Sequence, residues 1–270
     1  MSIRIEDLRF TYPKETKPVL DGLSFEAQEG CITVVVGANG AGKSTLIKSL
    51  LGIHKSSGKV YLDGTERSSI PNAELFRKVG YMTQESAILT RLNVFNVVLL
   101  GRLGSLSLKV HDEDIDRVHD MLKMLDLEQY AERPFYALSG GQRRLVDVAQ
   151  TLVKDPQVLI MDEPTANLDL ANELQVLDIV KAYTRQRYVS TLLTLHDLNM
   201  TARYADKVVL LKDGKVFKEG EPFEVFTEEN IREAYGVNVN VILGENYRPV
   251  IQPSPAEAEK EYEFRRRSWK

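Results

Sequence analysis

The run Gly37-Ala38-Asn39-Gly40-Ala41-Gly42-Lys43-Ser44 gathers three glycines, a lysine and a hydroxyl into one short loop. Glycines at this density let the backbone wrap tightly, so that successive N–H groups converge on a single anion. An apolar run, Cys31-Ile32-Thr33-Val34-Val35-Val36, leads into the loop. A helical pattern with Leu46, Ile47, Leu50 and Leu51 on one face leads out of it. The start of that helix adds partial positive charge. In this context G-x-x-x-x-G-K-S reads as a phosphate loop for a nucleoside triphosphate: Lys43 supplies a full charge to the β- and γ-phosphates, and Ser44 offers a hydroxyl to Mg²⁺. A glycine-rich turn with an incidental lysine is the alternative.

A pair of acids, Asp162-Glu163, follows the apolar run Val158-Leu159-Ile160-Met161. Successive strand residues point to opposite faces, so the two carboxylates are expected to do different work. Beside a phosphate loop the first would hold Mg²⁺. The second would polarise the water that attacks the γ-phosphate. Taken alone, the pair also fits a surface turn before Pro164. Leu138-Ser139-Gly140-Gly141-Gln142 is a third feature of the same kind: small residues with a donor hydroxyl at the start of a helical stretch make a second phosphate site. Its alternative is a Ser-Gly-Gly turn capping a helix.

These residues need elements to hold them. Residues 1–36 alternate short β-rich runs with turns at Asp21-Gly22 and Glu29-Gly30, which predicts small antiparallel strands leading into a buried strand over 32–36. A helix is predicted over 43–51, and strands over 59–62 and 79–82. Residues 92–155 change character: Ile115, Val118, Met121, Leu122 and Leu125 recur at helical spacing, which predicts a helical subdomain inserted at about 85–155. From Gln157 the pattern returns to a strand over 158–161, a helix over 172–186, a strand over 190–195, a helix over 198–204 and a strand over 207–211 before Asp213-Gly214. Strands alternating with helices call for a mostly parallel sheet with the ligand at the carboxyl ends of its strands. Residues 1–245 are expected to form the folded domain. The charged stretch 246–270, with Arg265-Arg266-Arg267, is expected to be a frayed tail.

In that order the motifs resemble those of the ATP-binding cassette (ABC) ATPases, with Leu138-Ser139-Gly140-Gly141-Gln142 as the family signature. The resemblance covers roughly residues 2–243. It implies an α/β fold: a RecA-like core of the P-loop NTPase type with an antiparallel β subdomain and an inserted helical subdomain. It implies nucleotide contacts from Gly37, Ala38, Asn39, Gly40, Ala41, Gly42, Lys43, Ser44 and Thr45. Tyr12 would stack on adenine. Gln84, after Val79-Gly80-Tyr81-Met82-Thr83, would contact Mg²⁺ together with Ser44 and Asp162. Ala166-Asn167-Leu168-Asp169 matches the D-loop, and His196 matches the switch histidine that joins Glu163 in catalysis. Read singly, a histidine after a strand is more often structural, and a tyrosine near a turn is usually packing. Ala166 departs from the serine many members carry there, which removes a hydroxyl near the expected dimer interface.

The resemblance further implies that two copies close head-to-tail around two ATP molecules. Ser139, Gly140, Gly141 and Gln142 of one chain would complete the site on the other. One cassette without a membrane span resembles the separate-chain importers. Asn93-Val94, Gly101-Arg102 and Val237-Asn238-Val239 look like the ATPases of iron-chelate, haem and vitamin B12 importers. The implied partners are a transmembrane permease and, indirectly, a substrate-binding protein. The implied place is the cytoplasmic face of the cell membrane. The competing readings are an ABC ATPase acting on DNA or the ribosome, and a regulatory module with a dead site.

Bulk properties narrow the choice. The chain has 270 residues, 43% of them hydrophobic, and a net charge of −4, whereas a free-standing nucleic-acid binder is usually more basic. The single cysteine, Cys31, permits no intrachain disulfide. Met1-Ser2-Ile3-Arg4-Ile5-Glu6-Asp7 carries charges where a signal peptide needs an apolar run. No apolar run approaches the roughly 18 residues of a membrane span, so a partner is expected to do any spanning.

Overall fold

A computed structural model of the chain describes residues 2–84, 91–102 and 110–254. Strands β1 (Ile3–Phe10), β2 (Leu20–Ala27), β4 (Ser57–Leu62) and β5 (Thr65–Glu66) form an antiparallel sheet in the order β2-β1-β4-β5. The alternation in β1 explains its place: Ile3, Ile5 and Leu8 are buried, while Arg4 lies on the exposed side.

The second sheet holds the chemistry. It joins β3 (Ile32–Gly37), β6 (Val79–Met82), β7 (Val158–Asp162), β8 (Ser190–Thr194), β9 (Lys207–Lys212) and β10 (Lys215–Gly220) in the order β10-β9-β3-β8-β7-β6. All pairs are parallel except the β9–β10 hairpin, which turns at Asp213-Gly214. Strands β3, β7 and β8 are buried on both faces, which is why they read as continuous runs rather than alternating ones. Their alternate side chains serve two cores. Ile32, Val34 and Val36 face one with Leu159, Met161 and Leu193. Val35 faces the other with Val158, Ile160 and Leu192, against α1 (Lys43–Leu50) and the antiparallel sheet.

Between β6 and β7 the described residues are mainly helical. After α2 (Asn72–Lys78) come α3 (Val94–Leu100), α4 (Asp112–Met124) and α5 (Gly140–Leu152). Val118, Met121, Leu122 and Leu125 of the α4 stretch pack on α3 and α5, while Ile115, expected on the same face, is exposed. Gly101 lets the end of α3 approach α5: a Cβ there would lie 2.1 Å from the Gln150 carbonyl oxygen. Arg102 then pairs with Asp114 at 2.7 Å, both nearly buried. Residues 85–90 and 103–109 of the insertion lie outside the described residues.

The carboxyl-terminal half adds α6 (Leu170–Arg187), α7 (Leu198–Tyr204), α8 (Pro222–Val225) and α9 (Glu228–Tyr235). It ends in a hairpin of β11 (Val239–Leu243) and β12 (Pro249–Pro253). Residues 249–253 are therefore an ordered strand, not part of the tail that their prolines and charged surroundings suggest. The prolines sit at the two ends of β12, where a two-stranded ladder tolerates them. Asn199 of α7 exchanges two hydrogen bonds with the Ile251 backbone (2.8 and 3.1 Å), and Arg248 donates to the Ala202 and Ala205 carbonyls. Residues 255–270, including Arg265-Arg266-Arg267, lie outside the described residues.

Candidate functional site

The phosphate loop links β3 to α1. Gly37, Gly40 and Gly42 all have positive φ. At Gly42 (φ 102°) a Cβ would meet the Val19 carbonyl oxygen at 2.9 Å, so the turn excludes a side chain on steric as well as conformational grounds. The first-turn N–H groups of α1 have no intrahelical acceptor and point out of the helix end. Lys43, only 6% exposed, donates from Nζ to the Gly37 and Ala38 carbonyls at 2.7 and 3.3 Å. Burial pushes its pKa down, and the charges of Glu163 and Asp162 oppose that shift. A buried cation beside the start of a helix has the charge and donors to suit a polyanion.

Tyr12 stands beside this loop. Its hydroxyl and Thr45 Oγ1 are 3.1 Å apart, and its ring meets Phe10 edge-on (4.9 Å) and His54 edge-on (5.5 Å). His54 in turn stacks on Phe10 at 4.5 Å. The ring is 36% exposed, so it presents surface for a further stacking partner. Phe10 and His54 escape sequence reading because each looks like ordinary packing.

The carboxylates sit at the end of β7. Asp162 is 4% exposed and accepts from Thr194 Oγ1 at 2.6 Å. The same hydroxyl oxygen accepts from the Glu163 backbone N–H at 2.9 Å. Thr194 of β8 thus fixes both acids, and it is missed in the sequence because a threonine inside a buried strand carries no catalytic signal. Glu163 adopts φ 50°, in the left-handed region that a non-glycine residue enters only when its surroundings hold it. Its carboxylate is bracketed: Gln84 Nε2 donates to Oε2 at 2.5 Å, and His196 Nε2 lies 2.5 Å from Oε1. Sheet order explains the convergence. Gln84 follows β6, Glu163 follows β7 and His196 follows β8, and these three strands are adjacent and parallel. Their carboxyl ends therefore open on one crevice.

Ser139, Gly140, Gly141 and Gln142 form a separate group at the start of α5. Ser139 is the N-cap: its Oγ accepts from Gln142 N at 3.3 Å, and its own N–H donates to Gln142 Oε1 at 3.0 Å. The capping role is real, and Ser139, Gly140 and Gly141 remain exposed or partly exposed at a helix start. Gly141 also lies against α6, where a Cβ would meet the Asn172 side chain at 2.6 Å. Asn172 bonds Asp169, the N-cap of α6, and the turn before it holds Ala166 N to Glu163 O at 3.2 Å. Arg144, one turn into α5, is a further residue that sequence reading missed. Its guanidinium reaches the backbone oxygens of Thr83, Gln84, Glu163 and Pro164.

The donor set suits a magnesium–triphosphate. Ser44, Gln84 and Asp162 offer only oxygen atoms for a cation, which is what a hard divalent ion requires. A single buried carboxylate also suits an ion that keeps most of its water. Among the described residues no cluster of three or more His, Cys, Asp or Glu residues competes as a metal site.

Comparison with known proteins places the chain in a family. A family model described as ABC transporter matches residues 20–166. The chain is 40% identical over 256 residues to an uncharacterised ABC transporter ATP-binding protein of Methanocaldococcus jannaschii, covering 94% of this chain and 98% of that one. It is 34% identical to a hemin import ATP-binding protein of Rhodococcus jostii (84% of this chain, 77% of the relative). It is 32% identical to an iron(3+)-hydroxamate import ATP-binding protein of Bacillus subtilis (83% and 84%). Among solved structures it is similar to an inward-facing transporter assigned to the metal-chelate ABC type, with TM-score 0.80, 28% identity, and coverage of 94% and 99%. It is also similar to a dimeric bacterial ABC transporter cassette, with TM-score 0.72, 27% identity, and coverage of 82% and 98%.

Proposed function

Because this chain belongs to the ABC transporter family of ATP-binding proteins, we propose that it is the ATP-hydrolysing subunit of an importer that takes up an iron chelate or haem through a separate membrane permease. The observation that carries the catalytic part is the bracketed Glu163. A strained, nearly buried carboxylate at the end of a parallel strand, between a glutamine and a histidine, is placed to orient a water and accept its proton. Lys43 and the N–H groups of residues 37–45 hold the phosphates, and Tyr12 supports the base. Ser44, Gln84 and Asp162 would hold Mg²⁺, which supplies charge neutralisation for the phosphate oxygens when bound.

Gln84 and His196 occupy the two oxygens of Glu163 and set the direction of its free lone pairs. His196 is half exposed on the mouth side, where a γ-phosphate oxygen would come within its reach. The start of α5 is exposed at Ser139 and Gly140. The dimeric cassette among its structural relatives supports the reading that a second copy brings Ser139 and Gly141 onto the first copy's nucleotide. No described helix is long and apolar enough to cross a membrane, so the spanning is assigned to the permease. On this reading the subunit works at the cytoplasmic face.

The import reading rests on the curated relatives, whose names include hemin and iron(3+)-hydroxamate import. The test is uptake of radio-iron chelates and haem by cells lacking the gene, with and without the restored wild-type chain. Restored uptake of one of these cargos is expected. Unaltered uptake of all of them, with ATP hydrolysis intact in the purified chain, would leave an ATPase and remove the proposed cargo class.

A further inference from the structure

Arg144 lies on α5, five residues after Ser139, and is 5% exposed. Nε donates to the Pro164 carbonyl at 2.6 Å and Nη2 to the Glu163 carbonyl at 2.6 Å. Nη1 donates to the carbonyls of Thr83 and Gln84, both at 3.1 Å. Among the described residues the carboxylate paired with it, Asp147, is 4.0 Å away and on the same helix, and Asp162 and Glu163 add longer-range attraction. The hydrogen bonds of this buried cation thus go to four carbonyl oxygens, drawn from the two loops that carry the site's glutamine and its glutamate.

That arrangement is costly and specific. A buried guanidinium is tolerated only when its donors are met. An apolar residue would fill the same helix face as Leu145 and Val148 fill theirs. A lysine has one donor centre and cannot span two loops as the planar fork does. The cation's partners are also the backbone atoms whose placement decides where the side chains of Gln84 and Glu163 meet. Glu163 sits at a positive φ and needs such support.

We propose that Arg144 is a positioning residue: it fixes the Gln84 loop and the Glu163 backbone to α5, so that events at the start of α5 reach this chain's own carboxylate. The second half rests on the head-to-tail reading, in which Ser139 meets the partner copy's nucleotide. Helix α5 is then a strut with one end on the partner's ATP and Arg144 on the carboxylate that hydrolyses its own. A one-turn lever of this kind makes each site's competence depend on occupancy of the other.

The experiment compares wild type with Arg144→Lys and Arg144→Gln. It measures thermal melting, binding of a fluorescent ATP analogue, and the ATP dependence of phosphate release. Nucleotide affinity is expected to stay close to wild type, because Lys43 and Tyr12 are untouched. The turnover number is expected to fall at least about tenfold in both variants, with no rescue by lysine, since small misplacement of a catalytic group is costly. The Hill coefficient is expected to fall toward one. Wild-type turnover and cooperativity in Arg144→Lys would overturn the proposal. So would a parallel loss of affinity, melting temperature and turnover, which marks a purely structural role. Non-cooperative hydrolysis by the wild-type protein would overturn the head-to-tail reading and the strut with it. A turnover loss at unchanged affinity would still support the positioning half.

Discussion

Gln84 Nε2 and Glu163 Oε2 are 2.5 Å apart, a side-chain bond between residues 79 positions apart in sequence that joins the loop after β6 to the end of β7. With His196 on the other oxygen, the carboxylate has no freedom to turn away from the crevice. Glu163→Gln preserves the shape of this cluster and removes the proton acceptor. Turnover is expected to fall by about a hundredfold to ten-thousandfold, the usual contribution of a positioned base, while ATP still binds. Single-turnover phosphate release and size-exclusion chromatography with ATP check this together: the variant should accumulate as a dimer. Unchanged steady-state turnover would remove Glu163 from the role of base.

His196 tests the other side of the bracket. His196→Ala leaves Oε1 of a nearly buried carboxylate without its partner. Turnover is expected to drop with little change in KM, because on the proposed function the ring faces the reacting end of the nucleotide and not its base. A KM rise at constant turnover would instead make His196 a binding residue.

On the proposed function Lys43 and Tyr12 divide nucleotide affinity between them. Lys43→Ala removes the buried charge assigned to the phosphates and should weaken ATP binding by about tenfold to a hundredfold, the range of a charge-assisted hydrogen bond. Tyr12→Ala should cost about 1–3 kcal/mol of binding, the worth of a stacked base. Tyr12→Phe keeps the ring and loses only the contact to Thr45, so it should bind nearly as wild type. Titration with a fluorescent ATP analogue separates the three.

What sequence could reveal follows from how each part is encoded. The phosphate loop and the run into Asp162-Glu163 are legible because local residue types carry their physics: glycines for positive φ, and apolar residues for strands buried on both faces. Gln84 and His196 are single residues, visible only by their order among stronger motifs. Arg144 and Thr194 were not legible at all. Arg144 follows Arg143 in a helix and looks like a solvated charge, yet its acceptors are backbone oxygens 19 to 61 positions away. Thr194 looks like one more β-branched core residue. Strand β12 was hidden because its pairing depends on β11 and on Asn199, neither of which its proline-flanked sequence announces.

Lys154, just after α5, gives a prediction on stability. It is half-buried and donates to the Phe76 carbonyl at 2.9 Å, and desolvation pushes its pKa down to about 8 from 10.5. At neutral pH both folded and unfolded chains are protonated there, and the folded state carries the cost of a desolvated ammonium. Between about pH 8 and 10.5 the folded chain gives up the proton while the unfolded chain keeps it. The unfolded state then binds more protons, so this group's contribution to stability rises with pH across that window and is level above it. Lys154→Met fills the same space without the charge and leaves the Phe76 carbonyl to water at the half-exposed edge. Its melting temperature should exceed wild type at pH 7, and the gap should narrow as pH rises through 8 toward 10.5. Thermal melts of both proteins at pH 7, 8.5 and 10 read the difference directly. A gap that stays constant across those three values would show that the lysine's charge plays no part and that packing alone separates the two proteins.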